Sequence, residues 1–383
     1  MAELNETPKA NRVHIAFFGL RNAGKSTLVN AFAGQEIAIV SEVAGTTTDP
    51  VSKAMEILPL GPCLLTDTAG LDDVGELGEM RVKKAFAVLS TTDIAVWVTD
   101  APREGGGASR DEASPAFARF AEECRRHGVT VLRYHRGDDV EDFRRKVAAV
   151  KVAESANPLV GDLVGSGDVV LLVCPQDGSA PKGRLILPQQ QVIREILDRG
   201  GVAQVCQPDA LKSLHGGFRF AITDSQAFGA VDAALPMDVP LTSFSILFAR
   251  AKGDLKAFCA GLDALKTLED GDTVLVAEGC THHRQCGDIG AEKLPRAVAR
   301  LTGKHLNFRL CSGGDFPVEE RHPRLAIHCG GCMLTRREMM RRIARAADAG
   351  IPITNYGLVL AAANGIEADP DTCMVRRHRS STT

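Results

Sequence analysis

Short apolar runs alternate with stretches of helical spacing along almost the whole chain. That alternation predicts parallel strands covered by helices. The first block reads as strands at 14–19, 54–59, 63–67, 94–99 and 129–134, with a Gly-rich surface loop at 102–112. The stretch "ANPLVGDLVGSGD" (156–168) has the composition of a linker. A second block follows, with strands at 169–175, 203–206 and 219–223 and a helix at 187–198. The third opens near 249. It predicts a strand at 273–279, a helix at 292–302, a strand at 324–330 and a helix at 334–348. The expectation is an α/β chain of three domains, 1–157, 158–248 and 249–383, with mainly parallel sheets.

Composition narrows the function classes. The 383 residues carry a net charge of −3, which provides no global basic field for nucleic acid or an anionic membrane. One Trp and two Tyr argue against a base-stacking platform. The polar start "MAELNETPKANR" lacks an apolar signal segment, and no run is long enough to span a bilayer. The eleven cysteines are an odd number, mostly within apolar runs, which points to free thiols and a cytoplasmic setting.

Between the first strand and the next helix stands "GLRNAGKS" (19–26), the G-x-x-x-x-G-K-[ST] loop. Its amides and the helix N-terminus suit phosphate oxygens. Gly19, Gly24, Lys25, Ser26 and Thr27 are therefore the candidate nucleotide contacts, with Lys25 reaching the β/γ-phosphates and Ser26 holding Mg²⁺. "AGTTTD" (44–49) supplies Thr47 as a second Mg²⁺ and γ-phosphate contact. "LLTDTAG" (64–70) supplies Asp67 at the Walker-B position and Gly70 beside the γ-phosphate. The order resembles the first three motifs of a small GTPase. Leu71 stands where Ras-like proteins carry a water-orienting Gln, and a leucine cannot do that work. Asn22 resembles the loop Asn of the potassium-activated TrmE–Era group, which implies K⁺ as a further cofactor. The base-reading N-K-x-D is replaced by His135, Arg136, Gly137 and Asp138, so only Asp138 remains to select guanine.

A second chemistry lies near the C-terminus. "CTHH" (280–283) follows one predicted strand and "HCGGC" (328–332) ends another. Cys280, Cys329 and Cys332 offer three thiolates, with His282 or His328 as a possible fourth ligand. Structural Cys₃His zinc, a redox dithiol and a 4Fe–4S cluster with one exchangeable site are all compatible with these residues, and spacing does not separate zinc from iron–sulfur. Cys286 or Cys311 would complete a four-thiolate site.

"AGTTTDPVSKAMEILPLGP", "APKGRLILPQQQ", "ITDSQAF", "TSFSILFARAKGD" and "HCGGCM…PITNYG" together make nearly the whole chain resemble the FeFe-hydrogenase maturation GTPases, the HydF family. The resemblance implies a GTPase domain, a middle dimerisation domain and a C-terminal 4Fe–4S domain. It implies a homodimeric scaffold that carries a diiron precursor with CO and CN⁻ ligands. Radical-SAM maturases would build that precursor, and apo FeFe-hydrogenase would receive it. No nucleic-acid or membrane partner is implied.

Overall fold

The computed structural model describes residues 12–34, 50–99, 111–151, 158–176, 185–214, 216–279 and 289–376. Contacts divide the chain into two compact units, Met1–Glu154 and Ser155–Thr383.

The first unit runs β1 (Val13–Phe18), α1 (Lys25–Ala33), β2 (Val51–Ile57), β3 (Gly61–Asp67), α2 (Glu76–Val88), β4 (Ile94–Thr99), α3 (Pro115–Arg126), β5 (Thr130–His135) and α4 (Val140–Ala148). Its sheet has the order β2-β3-β1-β4-β5. β1 pairs in parallel with β3 and β4, β4 pairs in parallel with β5, and only β2 is antiparallel. β4 is buried at every position, as expected of a strand covered on both faces. Phe17, Phe32, Phe143 and Val147 fill one side, with α4 over α1. Trp97, Phe18 and Phe120 fill the other. Ser114 caps α3 by accepting the Phe117 amide, and Pro115 occupies its first turn. Chain order reverses about β1, so the crevice above its carboxyl end is where such a fold binds ligands. Among the described residues no strand follows β5 in this unit.

The second unit continues with β6 (Val169–Val173), α5 (Leu187–Asp198), β7 (Val202–Cys206), β8 (Phe220–Thr223), α6 (Phe228–Ala234), β9 (Leu241–Ser243), α7 (Phe244–Lys252) and α8 (Leu255–Leu262). Then come β10 (Thr273–Glu278), α9 (Leu294–Thr302), β11 (Asn307–Ser312), α10 (Val318–Arg321), β12 (Leu325–His328) and α11 (Arg336–Asp348). β13 (Ile353–Asn355), α12 (Tyr356–Ala362), β14 (Glu367–Ala368) and β15 (Val375–Arg376) close it. One sheet has the order β14-β15-β9-β8-β6-β7 and the other β11-β10-β12-β13. The second is parallel throughout.

One expectation changes here. The stretch read as a linker is not one over its described part: Val160 and Val164 are buried in the same apolar cluster as Leu172 and Phe220. The cut expected at 248/249 falls inside α7, and that cluster also takes in Leu275, Ala326 and Met339. The two sheets of this unit therefore share one core. Among the described residues no helix is long and apolar enough to cross a membrane.

Candidate functional site: a phosphate loop and a cysteine loop

The loop Gly19–Gly24 leaves the carboxyl end of β1 and enters α1. Gly24 is the N-cap of α1 in left-handed conformation and offers no side chain, so the first amides of the helix are left for an anion. Lys25 is 7% exposed. Its ammonium donates to the carbonyls of Leu20 at 2.7 Å and Gly19 at 3.4 Å. Burial pushes its pKa down, against the pull of Asp67, Asp72 and Asp73. Asn22 sits exposed at the tip, also left-handed with φ 59°. Thr27 is exposed on the first turn of α1.

The Ser26 hydroxyl donates to Asp67 Oδ2 at 2.6 Å. Asp67 is 1% exposed, and its Oδ1 has no hydrogen-bond partner among the described residues. Burial raises the carboxyl's pKa, with Ser26 and Lys25 opposing. A buried carboxylate with one orphaned oxygen beside a hydroxyl is a donor set that fits a hard, oxygen-seeking dication. Gly70 passes directly beneath the phosphate loop. A Cβ there would stand 2.5 Å from Arg21 Cγ and 2.9 Å from the Arg21 nitrogen. Leu71 donates its amide to the Gly19 carbonyl at 3.2 Å and turns its side chain into the core with Phe18 and Trp97. Arg21 is held by Asp72 and Asp73 through contacts of 3.6 Å. Thr47 lies outside the described residues.

Asp138 stands at the same carboxyl edge, after β5. Its Oδ2 accepts the His135 amide at 3.0 Å, and the Tyr134 hydroxyl donates to its carbonyl at 2.9 Å. The Arg136 amide donates to the Thr99 carbonyl at the end of β4. The altered motif thus keeps a tight turn, with Asp138 folded back on its own loop.

In the second unit, β10 and β12 are parallel neighbours, so the segments after Glu278 and after His328 leave the sheet side by side. Cys329 is partly buried. Its Sγ accepts the Gly279 amide at 3.1 Å. Burial raises its pKa, while the Gly279 and Gly331 amides oppose this by favouring the thiolate. Gly331, at φ 70° with Met339 packed against it, makes the turn that brings Cys332 round. A sulfur at a sheet edge with two amide donors, and a second sulfur across a Gly-Gly turn, fits a thiolate-held metal centre. Cys280, His282 and Cys286 lie outside the described residues. Among the described residues no three His, Cys, Asp or Glu side chains gather as a metal site. Cys311 is buried in the apolar core on β11.

His328 is fully buried and has work of its own. Its Nδ1 and the Cys329 carbonyl are 2.8 Å apart, and its Nε2 and Arg342 Nη1 are 2.9 Å apart. Arg342 can only donate, so Nε2 accepts and Nδ1 carries the proton. Burial pushes the ring's pKa down to about 4, with Arg342 adding to the effect. Arg342 is itself fully buried and bonded to Glu338 Oε1 at 3.0 Å. The Asn355 carboxamide donates to the His328 carbonyl at 3.3 Å and caps α12 by accepting the Gly357 amide at 2.7 Å. Both ring nitrogens thus serve the frame behind the cysteine loop.

Glu338, Arg342, Asn355 and Lys252 are the residues that sequence reasoning missed. Lys252 is 8% exposed and donates to the Leu334 carbonyl at 2.7 Å. Burial pushes its pKa down to about 8, opposed by Cys332. "RREMMRRIAR" has the look of a solvated helix face, and only packing shows that one arginine of the pair is buried.

Fold and site define a P-loop GTPase unit followed by an α/β unit bearing a paired-cysteine loop. Residues 14–132 match the model of a 50S ribosome-binding GTPase. Residues 159–253 match the hydrogen maturase F dimerization domain and 256–368 its tetramerization domain, together more than half of the chain. The chain belongs to the hydrogen maturase F family. Its curated relatives include tRNA modification GTPases MnmE. That of Ralstonia nicotianae is 37% identical over 122 residues, covering 32% of this chain and 25% of the relative. That of Ruegeria pomeroyi is 45% identical over 87 residues, covering 22% and 20%. The chain thus spans about a quarter of their length or less. Era of Aquifex aeolicus, solved with GDP and AlF₄⁻, is 14% identical with a TM-score of 0.26, covering 78% of this chain and 92% of that one.

Proposed function

We propose that this chain is a GTP-hydrolysing scaffold and carrier in assembly of the diiron subcluster of FeFe-hydrogenase. The observation that carries the reading is the cysteine loop: two sulfurs across a Gly-Gly turn, one with amide donors, beside the strand end that leads to Cys280. Cys280, Cys329 and Cys332 would hold a 4Fe–4S cluster. Three thiolates leave one iron with a replaceable ligand, which is what a carrier of a CO- and CN⁻-bearing precursor requires. Radical-SAM maturases as donors and apo FeFe-hydrogenase as recipient complete the proposal. Anaerobic incubation with those partners should produce hydrogen evolution by the recipient. Omitting this chain should leave the recipient inactive, and hydrogen evolution without it would refute the carrier role. A colourless protein containing zinc would instead support a zinc-stabilised GTPase acting on RNA.

In the first unit, Ser26 and Asp67, with Thr47, would hold Mg²⁺, which when bound neutralises phosphate charge. Lys25 and the amides of α1 orient the phosphates. With Leu71 buried, no side chain at that position orients water, so hydrolysis should be slow. Asn22 would help bind K⁺. The expected result is faster GTP hydrolysis in K⁺ than in equimolar Na⁺, with Asn22→Ala abolishing the difference. Equal rates of the wild type in the two salts would refute this.

Asp138 would read guanine by accepting from its N1–H and exocyclic amine. Hydrogen bonds to a charged group contribute about 1.5–3 kcal/mol each. Asp138→Ala should therefore weaken GTP binding by tenfold or more, at roughly 1.4 kcal/mol per tenfold, and should narrow the gap to ATP. Calorimetry with both nucleotides decides it, and unchanged GTP affinity would remove Asp138 from the base site.

β7 is an edge strand, and Val202, Val205 and nearby Leu197 are 51%, 43% and 52% exposed. An apolar edge invites pairing, and it lies within the matched dimerization segment. A homodimer through this edge is the expected assembly. Val205→Lys should shift light-scattering mass toward the monomer, and an unmoved mass would place the interface elsewhere.

A further inference from the structure

We infer that Lys252 is the counter-charge of the cysteine centre, a buried ammonium that sets the reduction potential of a cluster held there. The inference rests on the cluster reading above. Lys252 is the last residue of α7, inside the segment matched to the dimerization domain, whereas Cys329 and Cys332 belong to the segment matched to the tetramerization domain. Its charge is therefore brought to the cysteines by the fold, not by sequence proximity.

α7 is the floor of the cysteine loop. Gly330 lies against Ser245 and Phe248 of that helix. Arg336 reaches back to donate to the Ala251 and Gly253 carbonyls, each at 2.9 Å. Lys252 closes the clip from the other side by donating to the Leu334 carbonyl, two residues after Cys332. Its ammonium stands 5.9 Å from the Phe248 ring centre and within electrostatic reach of the Cys332 sulfur. Lysines are almost never this buried unless paired, because desolvating an ammonium is expensive. The Cys332 sulfur, on the loop that Lys252 clips, offsets part of that cost. A cluster carried by three thiolates is anionic, and one-electron reduction adds a further negative charge. A nearby cation stabilises the reduced form more than the oxidised one, in a medium where charges are poorly screened. Removing it should lower the potential.

Lys252→Gln keeps a donor for the Leu334 carbonyl but loses the charge, and Lys252→Arg keeps the charge. Full-length wild type and both variants are reconstituted anaerobically with ferric iron, a thiol reductant and sulfide. Iron and sulfide are then counted, and each protein is titrated with dithionite while the EPR signal is followed. The expected result is equal iron in all three, a midpoint shifted negative in Lys252→Gln, and one near wild type in Lys252→Arg. Iron lost from Lys252→Gln alone also supports the charge. Iron lost from both variants would make Lys252 only a structural clip and overturn the inference, as would equal iron with an unmoved potential. A wild-type chain that takes up no iron overturns this inference together with the cluster reading.

Discussion

Cys329→Ala should strip the iron from this protein and abolish delivery to apo-hydrogenase, while leaving the fold in place. The cluster reading gives Cys329 one of three sulfur anchors, and a cluster left with two is not retained. Apart from the Gly279 amide that its sulfur accepts, the surrounding frame is held by backbone groups. Cys329 donates its own amide to the Ala277 carbonyl, and its carbonyl is paired with His328, both backbone groups that alanine keeps. Circular dichroism should match wild type while anaerobic iron analysis falls to background. Four irons per chain retained by the variant would exclude Cys329 as a ligand. His328→Ala should behave in the opposite way. It removes a ring held between the Cys329 carbonyl and Arg342, and leaves a fully buried guanidinium short of a partner. Such an unsatisfied donor costs about 1–3 kcal/mol or more for a charged group. The loss should appear as a lower Tm and an altered EPR line shape, with most of the iron still bound. If iron vanished from His328→Ala at unchanged stability, His328 would be a ligand and not part of the frame.

The contrast shows what the sequence could convey. Strand β6 and helix α5 stand where apolar runs and helical spacing place them, because a buried strand and an amphipathic helix write their period into the residues. The phosphate loop was legible for the same reason: its chemistry demands glycines, lysine and serine in fixed order. β14 and β15 were not legible, since two residues cannot display an alternation. Nor was the shared core. Val160 and Val164 sit among glycines and a proline in "NPLVGDLVGSG", and composition alone gives such a stretch to solvent. At the cysteine loop, the ligand types announced themselves while their supports did not. Arg342 and Lys252 are indistinguishable from surface cations until packing removes them from water. The start of α11 shows the same: Thr335 caps the helix by accepting the Glu338 amide, while the Glu338 carboxylate goes to Arg341 and Arg342.

Asp67→Asn should lower GTP hydrolysis steeply and yet leave the metal-free protein as stable as wild type, or more so. Asp67 is 1% exposed, at the end of β3, with the Ser26 hydroxyl on one oxygen and no hydrogen-bond partner among the described residues on the other. A buried carboxylate with half its bonding capacity unmet destabilises the fold. Lys25 offsets part of that burden through its charge, but its ammonium bonds to loop carbonyls instead of to Asp67. Asparagine keeps the shape, can still accept from Ser26, and carries no charge to desolvate. In EDTA its thermal midpoint should therefore be no lower than wild type. Turnover reverses the sign. Positioning a divalent ion on developing phosphate charge supplies several kcal/mol of transition-state stabilisation, and every 1.4 kcal/mol is about tenfold in rate. Loss of the carboxylate should thus lower kcat for GTP by about 10²-fold or more at ordinary Mg²⁺ concentrations. A position kept for folding alone would behave otherwise, losing stability and turnover together. An Asp67→Asn variant that hydrolyses GTP within about threefold of wild type, or one whose midpoint drops by several degrees in EDTA, would show that this carboxylate is a structural group and that the cation is held elsewhere.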